Sequence, residues 1–507
     1  MNWKIYKNSL DKLSNKEKGD SFEKLVKIYL KQNYKFRNIL SKVWLLDEVP
    51  IIIKNKLNLP LRDEGIDLIC ETNKGEFWAV QAKYRTNELS SISHHDLETF
   101  GSLTFGHCRN IKHALVCTSA NRYAKLFTTY PNLSFLSGEV WRCLDSQYFD
   151  VLKDSRKKVK LKPYKPFFHQ KEAIEKAFNH FVVEKNRRGK LIMACGTGKS
   201  HTAYWVANKI KADKILVAVP SISLIKQTMD DWLREIVANK QDFEFHIVCS
   251  DHTTTNIDND ELKTNLQDIE IPVDTNTNKI STWLKERNKK KVVVLTTYQS
   301  GKKISEAAKK INFSFDLGIF DEAHKTVGSK NKNSAHLLFD ENINIKKRMF
   351  MTATQKFYKG SSDKIVSMNF NEMYGETFHS LSFRRAIELS KNLKRPILTD
   401  YKIYPLAVSA KEISQLINKN CYVKPKNGPW NDDTQSRFLV SLVALNKAVK
   451  KFGINHAISF HSSLSKAEAF QKSQELFIKK YVKYAKTQNF FISGKYTSSE
   501  RNRILED

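Results

Sequence analysis

Two stretches of the chain carry residues whose types and spacing suit phosphate chemistry. In "KLIMACGTGKSHTAYWVANKI" a strand-like run meets a glycine-rich turn and then a helix opening at Lys199. Gly196 and Gly198 let main-chain N–H groups close around phosphates, Lys199 can reach the β and γ phosphates of a nucleotide, and Ser200 can hold Mg²⁺. The strict G-x-x-x-x-G-K-[ST] spacing is not met, since Met193 stands where its first glycine would be. An ordinary glycine turn before a helix is the competing reading. In "LGIFDEAH" an apolar strand runs directly into two carboxylates. Asp321 can hold the water shell of Mg²⁺, and Glu322 can orient or deprotonate an attacking water. The alternative is an acidic surface turn.

A third stretch, "DEGIDLICETNKGEFWAVQAKYR", reads as two strands joined by a hairpin turn at "NKGE". Side chains alternate along a strand, so Gln81 and Lys83 share a face, and cross-strand neighbours on one face approach within about 5 Å. Asp67 joins them only if it pairs with residue 81 or 83, which an odd-length loop around Gly75 produces. An even loop turns it away. If the face forms, Asp67 and Gln81 offer hard oxygen ligands to Mg²⁺ and Lys83 can position or help deprotonate a water for attack on a phosphodiester. A half-buried strand with two snorkelling polar residues is the plainer reading.

The elements that must hold these residues are α/β throughout. Residues 1–155 alternate strand-like runs ("GIDLICE", "EFWAVQAKY", "HALVCTS") with helical ones ("SFEKLVKIYLKQ"), and the basic, proline-punctuated "VLKDSRKKVKLKPYKPFFHQ" reads as a joint near residue 155. Over 156–360, "KLIMA", "KILVAVP", "KVVVLTTY", "DLGIFDE" and "RMFMTAT" alternate with helical stretches, which predicts a parallel sheet flanked by helices. The polar section at roughly 251–290 reads as a surface excursion. A further α/β pattern occupies 361–507, with "HAISFHSS" and "NFFISG" as its later strands.

With the glycine turn, "DEAH" and "MTAT" in that order, residues 160–505 resemble superfamily-two helicases and translocases, built on RecA-like domains. The resemblance implies ATP and Mg²⁺ as cofactors, with Gln170, Gly196, Thr197, Gly198, Lys199, Ser200 and Asp321 at the nucleotide and Gln170 of "PFFHQKEAI" reading adenine. It places Pro220 and Ser221 of "VPSISLIKQT", and Thr296 and Thr297 of "LTTYQS", at the nucleic-acid backbone. His324, Thr352 and Thr354 fall where ATP hydrolysis is coupled to movement. Each of these positions could instead be a core strand end or a turn. The family's closing motif, with arginines that face the γ phosphate, has no counterpart here. The second motor domain therefore reads as partial, the chain as a truncated version of a longer protein, and its independent ATPase activity as doubtful.

Residues 15–120 resemble the Mrr-like branch of PD-(D/E)xK nucleases, in which D…QxK replaces D…ExK. The resemblance implies a restriction-endonuclease-like α/β fold with Asp67, Gln81 and Lys83 at the catalytic site, and Glu23 of "KGDSFEKLVKIYL" falls where that family has an acidic residue. Nuclease and motor together resemble part of the single-polypeptide, ATP-dependent restriction enzymes, without their methyltransferase and target-recognition regions. The implied function is ATP-driven DNA translocation coupled to Mg²⁺-dependent cleavage, with double-stranded DNA as partner. Two alternatives stand beside it: a repair or RNA helicase whose N-terminal domain does not cleave, and an inactive DNA-binding fragment.

Composition agrees with a polyanionic partner. Lys and Arg number 85 against 54 Asp and Glu, a formal charge of +31, which concentrates phosphate backbones around the protein. A chain simply rich in Lys, Asn and Ile is the bland explanation. Seven scattered cysteines (Cys70, Cys108, Cys117, Cys143, Cys195, Cys249, Cys421), with no C-x-x-C pair, predict reduced thiols and no zinc site. The start lacks a signal-peptide core, and no run of about 18 apolar residues occurs, so a cytoplasmic protein is expected. The pair His94–His95 reads as a surface turn, and Trp78 and Tyr84 as core.

Overall fold

The computed structural model describes residues 1–60, 65–124, 127, 130, 132–249, 266–358, 364–391, 393–409, 411, 432–480, 487–493, 496 and 498–506. Cys421 lies outside them. The chain forms two compact units, one comprising Met1–Thr255, Lys263–Thr399 and Thr497–Arg503, the other Asn256–Leu262, Asp400–Tyr496 and Ile504–Asp507. No helix among the described residues is long and apolar enough to cross a membrane.

The first unit is built on two large sheets. The N-terminal one contains β1 (Leu40–Leu45), β2 (Leu68–Thr72), β3 (Phe77–Lys83), β4 (Ile111–Thr118) and β5 (Leu133–Leu136) in that spatial order. β1, β2 and β3 pair antiparallel, then β3, β4 and β5 pair parallel. Central and covered on both faces, β3 is apolar and buried at Phe77, Trp78, Ala79, Val80 and, after Gln81, Ala82. Helix α1 (Trp3–Leu10) and helix α2 (Asn15–Gln32) cover one face, where Phe22, Leu25 and Val26 pack with Trp78, Val80 and Ala82. α2 opens with Ser14 and Glu17 in a reciprocal capping box, a device worth about 1 kcal/mol to a helix start.

The second sheet is parallel throughout. In chain order its strands are β6 (Arg188–Met193), β7 (Lys214–Val219), β8 (Glu244–Val248), β9 (Val292–Thr297), β10 (Phe315–Phe320), β11 (Ile345–Thr352) and β12 (Glu376–Leu381), arranged β8-β9-β7-β10-β11-β6-β12. All five strands read from residues 156–360 are present. The sheet runs past residue 360, where the sequence suggests a boundary: Gly375, at φ 71° and with no room for a Cβ, which would come within 2.0 Å of the Arg188 oxygen, lets the chain turn into the edge strand β12.

Two expectations are corrected. The section read as a surface excursion ends in a docked element: residues 250–265 lie outside the described ones, but Gln267, Asp268, Ile269 and Glu270 are buried. The N-terminal domain supplies partners to several of their polar groups: Tyr123 donates to Asp268 at 2.7 Å, and Gln267 Nε2 donates to the Tyr130 carbonyl at 3.3 Å. In the second unit, "HAISFHSS" is not a strand, nor are residues 489–493 of "NFFISG". A strand needs a hydrogen-bonded neighbour, and the regular elements in the described part of that unit are helices, with Asp432–Phe452 packed on Leu464–Lys480 through Asn446 and Gln474. Ile458 and Phe460 are accordingly 72% and 93% exposed.

Candidate functional site

In an open parallel sheet ligands sit beyond the carboxyl ends of the strands. Here three neighbouring strand ends deliver the residues singled out by sequence: β6 leads into the glycine turn, β10 into Asp321 and β11 into Thr352. Helix α3 (Phe168–Phe178) precedes β6, and helix α4 (Lys199–Lys209) starts at the lysine. Gly196 and Gly198 both take positive φ, 81° and 82°. A Cβ on Gly198 would come within 2.4 Å of Gln170 Nε2. Gln170 is buried on α3, with its Oε1 accepting from Phe167 N at 2.8 Å and its Nε2 donating to the Gly198 carbonyl at 3.3 Å. It braces the turn from behind. Thr197 donates to the Ala194 carbonyl at 2.7 Å.

Lys199 Nζ stands 3.8 Å from Glu322 Oε1. Glu322 has φ 46°, a left-handed conformation that costs an L residue on the order of 1–3 kcal/mol and tends to persist at functional sites. The two carboxylates are driven apart in acidity. Burial, reinforced by the Glu322 charge, pushes Asp321 up to about 6, while the hydrogen bond from His324 draws Glu322 below its ordinary value despite burial. His324 Nδ1 lies 2.9 Å from Thr352 Oγ1, whose own proton is directed at the Thr354 carbonyl, also 2.9 Å away. DEAH and MTAT are thus joined by one hydrogen-bond chain.

Tyr298, inside "LTTYQS", is not among the residues the sequence singles out. Its hydroxyl donates to the Asp321 carbonyl at 2.6 Å, tying the turn after β9 to the carboxylate end of β10. Thr297 caps that turn, accepting from Ser300 N at 3.3 Å, and Thr296 spends its hydroxyl on the Val248 carbonyl at 2.8 Å. Ser221 caps helix α5 (Ile222–Ala238) at Leu224 N, with the partly exposed Pro220 just before it. Trp232 of α5 donates to the Ser200 carbonyl at 3.2 Å.

In the N-terminal sheet the hairpin loop is residues 73–75, three long, with Gly75 at φ 74°, an odd loop closed by a left-handed glycine. Leu68 pairs with Val80, so the next position sets Asp67 opposite Gln81. The register requirement is met. Asp67 N donates to the Val80 carbonyl at 3.0 Å, and Asp67 Oδ2 accepts from Ala82 N at 2.6 Å, which pins the carboxylate at the strand end. Gln81 and Lys83 alternate with Ala82 and so lie on the face of Ala79 and Ile69, whereas Glu23 sits on α2, which packs against the other face. His94 and His95 are exposed, and Trp78 is buried.

Two buried oxygens bear on metal binding. Gln81 Oε1 has no hydrogen-bond partner although the residue is 2% exposed, a costly state unless something else satisfies it. Ser200 Oγ is likewise buried without a hydrogen-bond partner, and burial raises the neighbouring Asp231 carboxyl against the opposing pull of His201 and Ser200. Both positions fit a hard cation: Asp67 with Gln81, and Ser200 with Asp321, are all-oxygen donor sets of the kind Mg²⁺ takes. Among the described residues no cluster of three or more His, Cys, Asp or Glu is placed to hold a metal ion.

Fold and site define a restriction endonuclease domain followed by a helicase-type motor domain. Residues 31–129 match the family described as "Restriction endonuclease", and residues 163–357 match "Type III restriction enzyme, res subunit". The chain thus carries, in order, segments similar to two restriction-enzyme families.

Among solved structures, the whole chain superposes on 33% of an ATP-dependent Type ISP restriction-modification enzyme, LlaBIII, bound to DNA, with a TM-score of 0.77 and 23% identity. Among curated proteins it is similar to a probable helicase of African swine fever virus, 27% identical over 223 residues, 43% of this chain and 22% of the viral protein. A homologue from another isolate of that virus is 29% identical over 225 residues. The chain spans about a third of the length of the Type ISP enzyme, and its match covers about a fifth of the viral helicases.

Proposed function

We propose that the chain is the nuclease-motor part of an ATP-dependent restriction enzyme, a DNA translocase whose Mrr-like domain cuts DNA. The observation that carries this reading is the meeting of Lys199 and Glu322 at 3.8 Å beyond the ends of β6 and β10, in one chain with an Asp67–Gln81–Lys83 strand face. Gly196, Thr197, Gly198 and Lys199 bind the nucleotide phosphates, Gln170 holds the turn that does so and lies where adenine would be read, and Glu322 orients the attacking water. His324, Thr352 and Thr354 relay the state of the nucleotide site, and Pro220, Ser221, Thr296 and Thr297 line the path of the DNA backbone. In the nuclease, Asp67 and Gln81 form the metal-binding side and Lys83 positions the water, while Glu23, on the helix over the opposite face of the sheet, stands apart from them. Mg²⁺ bound at Ser200 and Asp321, or at Asp67 and Gln81, would supply positive charge to the phosphate under attack.

The test uses the purified chain with duplex DNA, ATP and Mg²⁺. Expected are ATP turnover stimulated by DNA and abolished by Lys199→Ala, and DNA nicking abolished by Lys83→Ala with turnover retained. Turnover without nicking would support a helicase with a non-cleaving N-terminal domain, and the absence of both would leave a DNA-binding fragment.

A further inference from the structure

The turn after β9 leads into helix α6 (Gly301–Lys310), which packs against the short helical segment Asn333–Leu338 beyond the DEAH residues. Between them lies an open cleft of about 460 Å³ whose wall holds Lys302, Lys330, Lys332 and His336, with Glu341 as its one carboxylate. The three lysines are exposed, and among the described residues none of them has an ion-pair partner. Lys332 donates to the Lys325 carbonyl at 3.2 Å, which leaves its charge unneutralised. His336 adds none near neutral pH: burial, and then Lys302 and Lys309, push its pKa below the ordinary imidazole value.

Three exposed lysines lining one cleft with a single carboxylate give it a positive potential that suits an anion. Lysines act as point charges without the planar fork that reads a base edge, so the cleft suits phosphates in a sequence-independent way. Its location adds the second argument. Asn333 donates to Gln299 at 3.2 Å, so the cleft wall is continuous with the "LTTYQS" turn that carries Thr297.

We propose that this cleft is a binding site for the phosphate backbone of duplex DNA, extending the path beyond Thr297, with Lys302, Lys330 and Lys332 facing the phosphates. The inference rests on the reading of the chain as a DNA motor.

The test is a titration of the full chain with mixed-sequence duplex DNA at several salt concentrations. Lys302→Ala, and separately Lys330→Ala with Lys332→Gln, weaken binding several-fold for every duplex sequence and lower the slope of log affinity against log salt by about 0.9 for each phosphate no longer neutralised. Lys302→Arg restores affinity, and the affinity for ATP is unchanged in all variants. If the unaltered chain binds duplex DNA and all these variants bind with its affinity and slope, the cleft assignment is overturned while the motor reading stands. If the unaltered chain binds no duplex DNA, the motor reading falls as well. Should the double variant fail to fold, the Lys302 pair of variants decides.

Discussion

Lys35 Nζ donates to Glu270 Oε2 across 2.6 Å, joining the nuclease domain to the motor through two side chains that are both buried. Asp230 of α5 stands 2.8 Å from the same ammonium, and Lys226, one turn earlier, lies 3.1 Å from the other Glu270 oxygen. Burial alone would lower Lys35 and raise Glu270, yet the facing charges reverse both: Lys35 is raised well above its ordinary value and Glu270 is lowered. Asp230 moves the other way, raised because burial outweighs Lys35. Since α5 begins just after Ser221 and also touches Ser200 through Trp232, the nuclease is docked on the helix that borders the nucleotide turn.

Removing one member of a buried pair leaves the other charge uncompensated, typically at about 3–5 kcal/mol. Lys35→Met is expected to destabilise the chain toward the lower end of that range, because Lys226 still faces Glu270. Denaturant unfolding, with proteolysis at the domain joint as a second readout, checks it. The pH dependence has a definite sign. Glu270, lowered on folding, contributes above the ordinary carboxyl pKa of about 4.3 and loses that contribution as pH falls through its folded value; Lys35, raised on folding, contributes below about 10.4 and loses it as pH rises through its folded value. Lys35→Met flattens both limbs.

Asp321, pushed up to about 6, is half protonated near that pH in the metal-free chain. Its folded pKa exceeds the unfolded one, so its ionisation costs stability as pH rises through about 6, and a bound cation offsets that cost. Mg²⁺ affinity at the nucleotide site should fall about tenfold per pH unit below 6, with proton release on binding. Calorimetry in two buffers of different ionisation enthalpy measures it, and a pH-independent affinity between 5 and 7 would count against the assignment.

Tyr298→Phe deletes one hydroxyl and leaves the buried Asp321 carbonyl without that donor. A loss of about 1–3 kcal/mol is expected in stability. If the tie transmits DNA contact to the carboxylates, DNA stimulation of ATP turnover drops while KM for ATP is unchanged. Loss of stability with full stimulation would leave Tyr298 a purely structural residue.

Gly198→Ala places a Cβ at 2.4 Å from Gln170 Nε2 on a backbone of φ 82°. Expected is loss of ATP binding by at least tenfold, read with a fluorescent nucleotide, because the turn must open or Gln170 must leave. Pairing it with Gln170→Ala relieves the clash but not the backbone strain, so recovery is partial.

In the nuclease, Gln81→Glu puts a carboxylate where the unpartnered amide oxygen now sits. Mg²⁺ affinity at this site is expected to rise while nicking persists, and Gln81→Leu should abolish nicking with ATP turnover intact. Equal cleavage by the leucine variant would remove Gln81 from the metal site.

What the amino-acid sequence alone determined is what depends on neighbours along the chain. Glycines at 196 and 198 and a strand ending in Asp321 and Glu322 are local, because turn chemistry and strand alternation act over a few residues; the parity of the hairpin loop, on which Asp67 facing Gln81 depends, stayed open until the pairing of Leu68 with Val80 fixed it. The tertiary structure decided the rest. Whether "HAISFHSS" forms a strand depends on a partner edge, which its apolar pattern cannot encode. Lys35 and Glu270 lie 235 positions apart, in stretches with no motif, and each alone is a buried charge that only the other's placement makes tolerable. Tyr298 is buried, and its hydroxyl acquires a partner because parallel pairing through β7 brings the ends of β9 and β10 together.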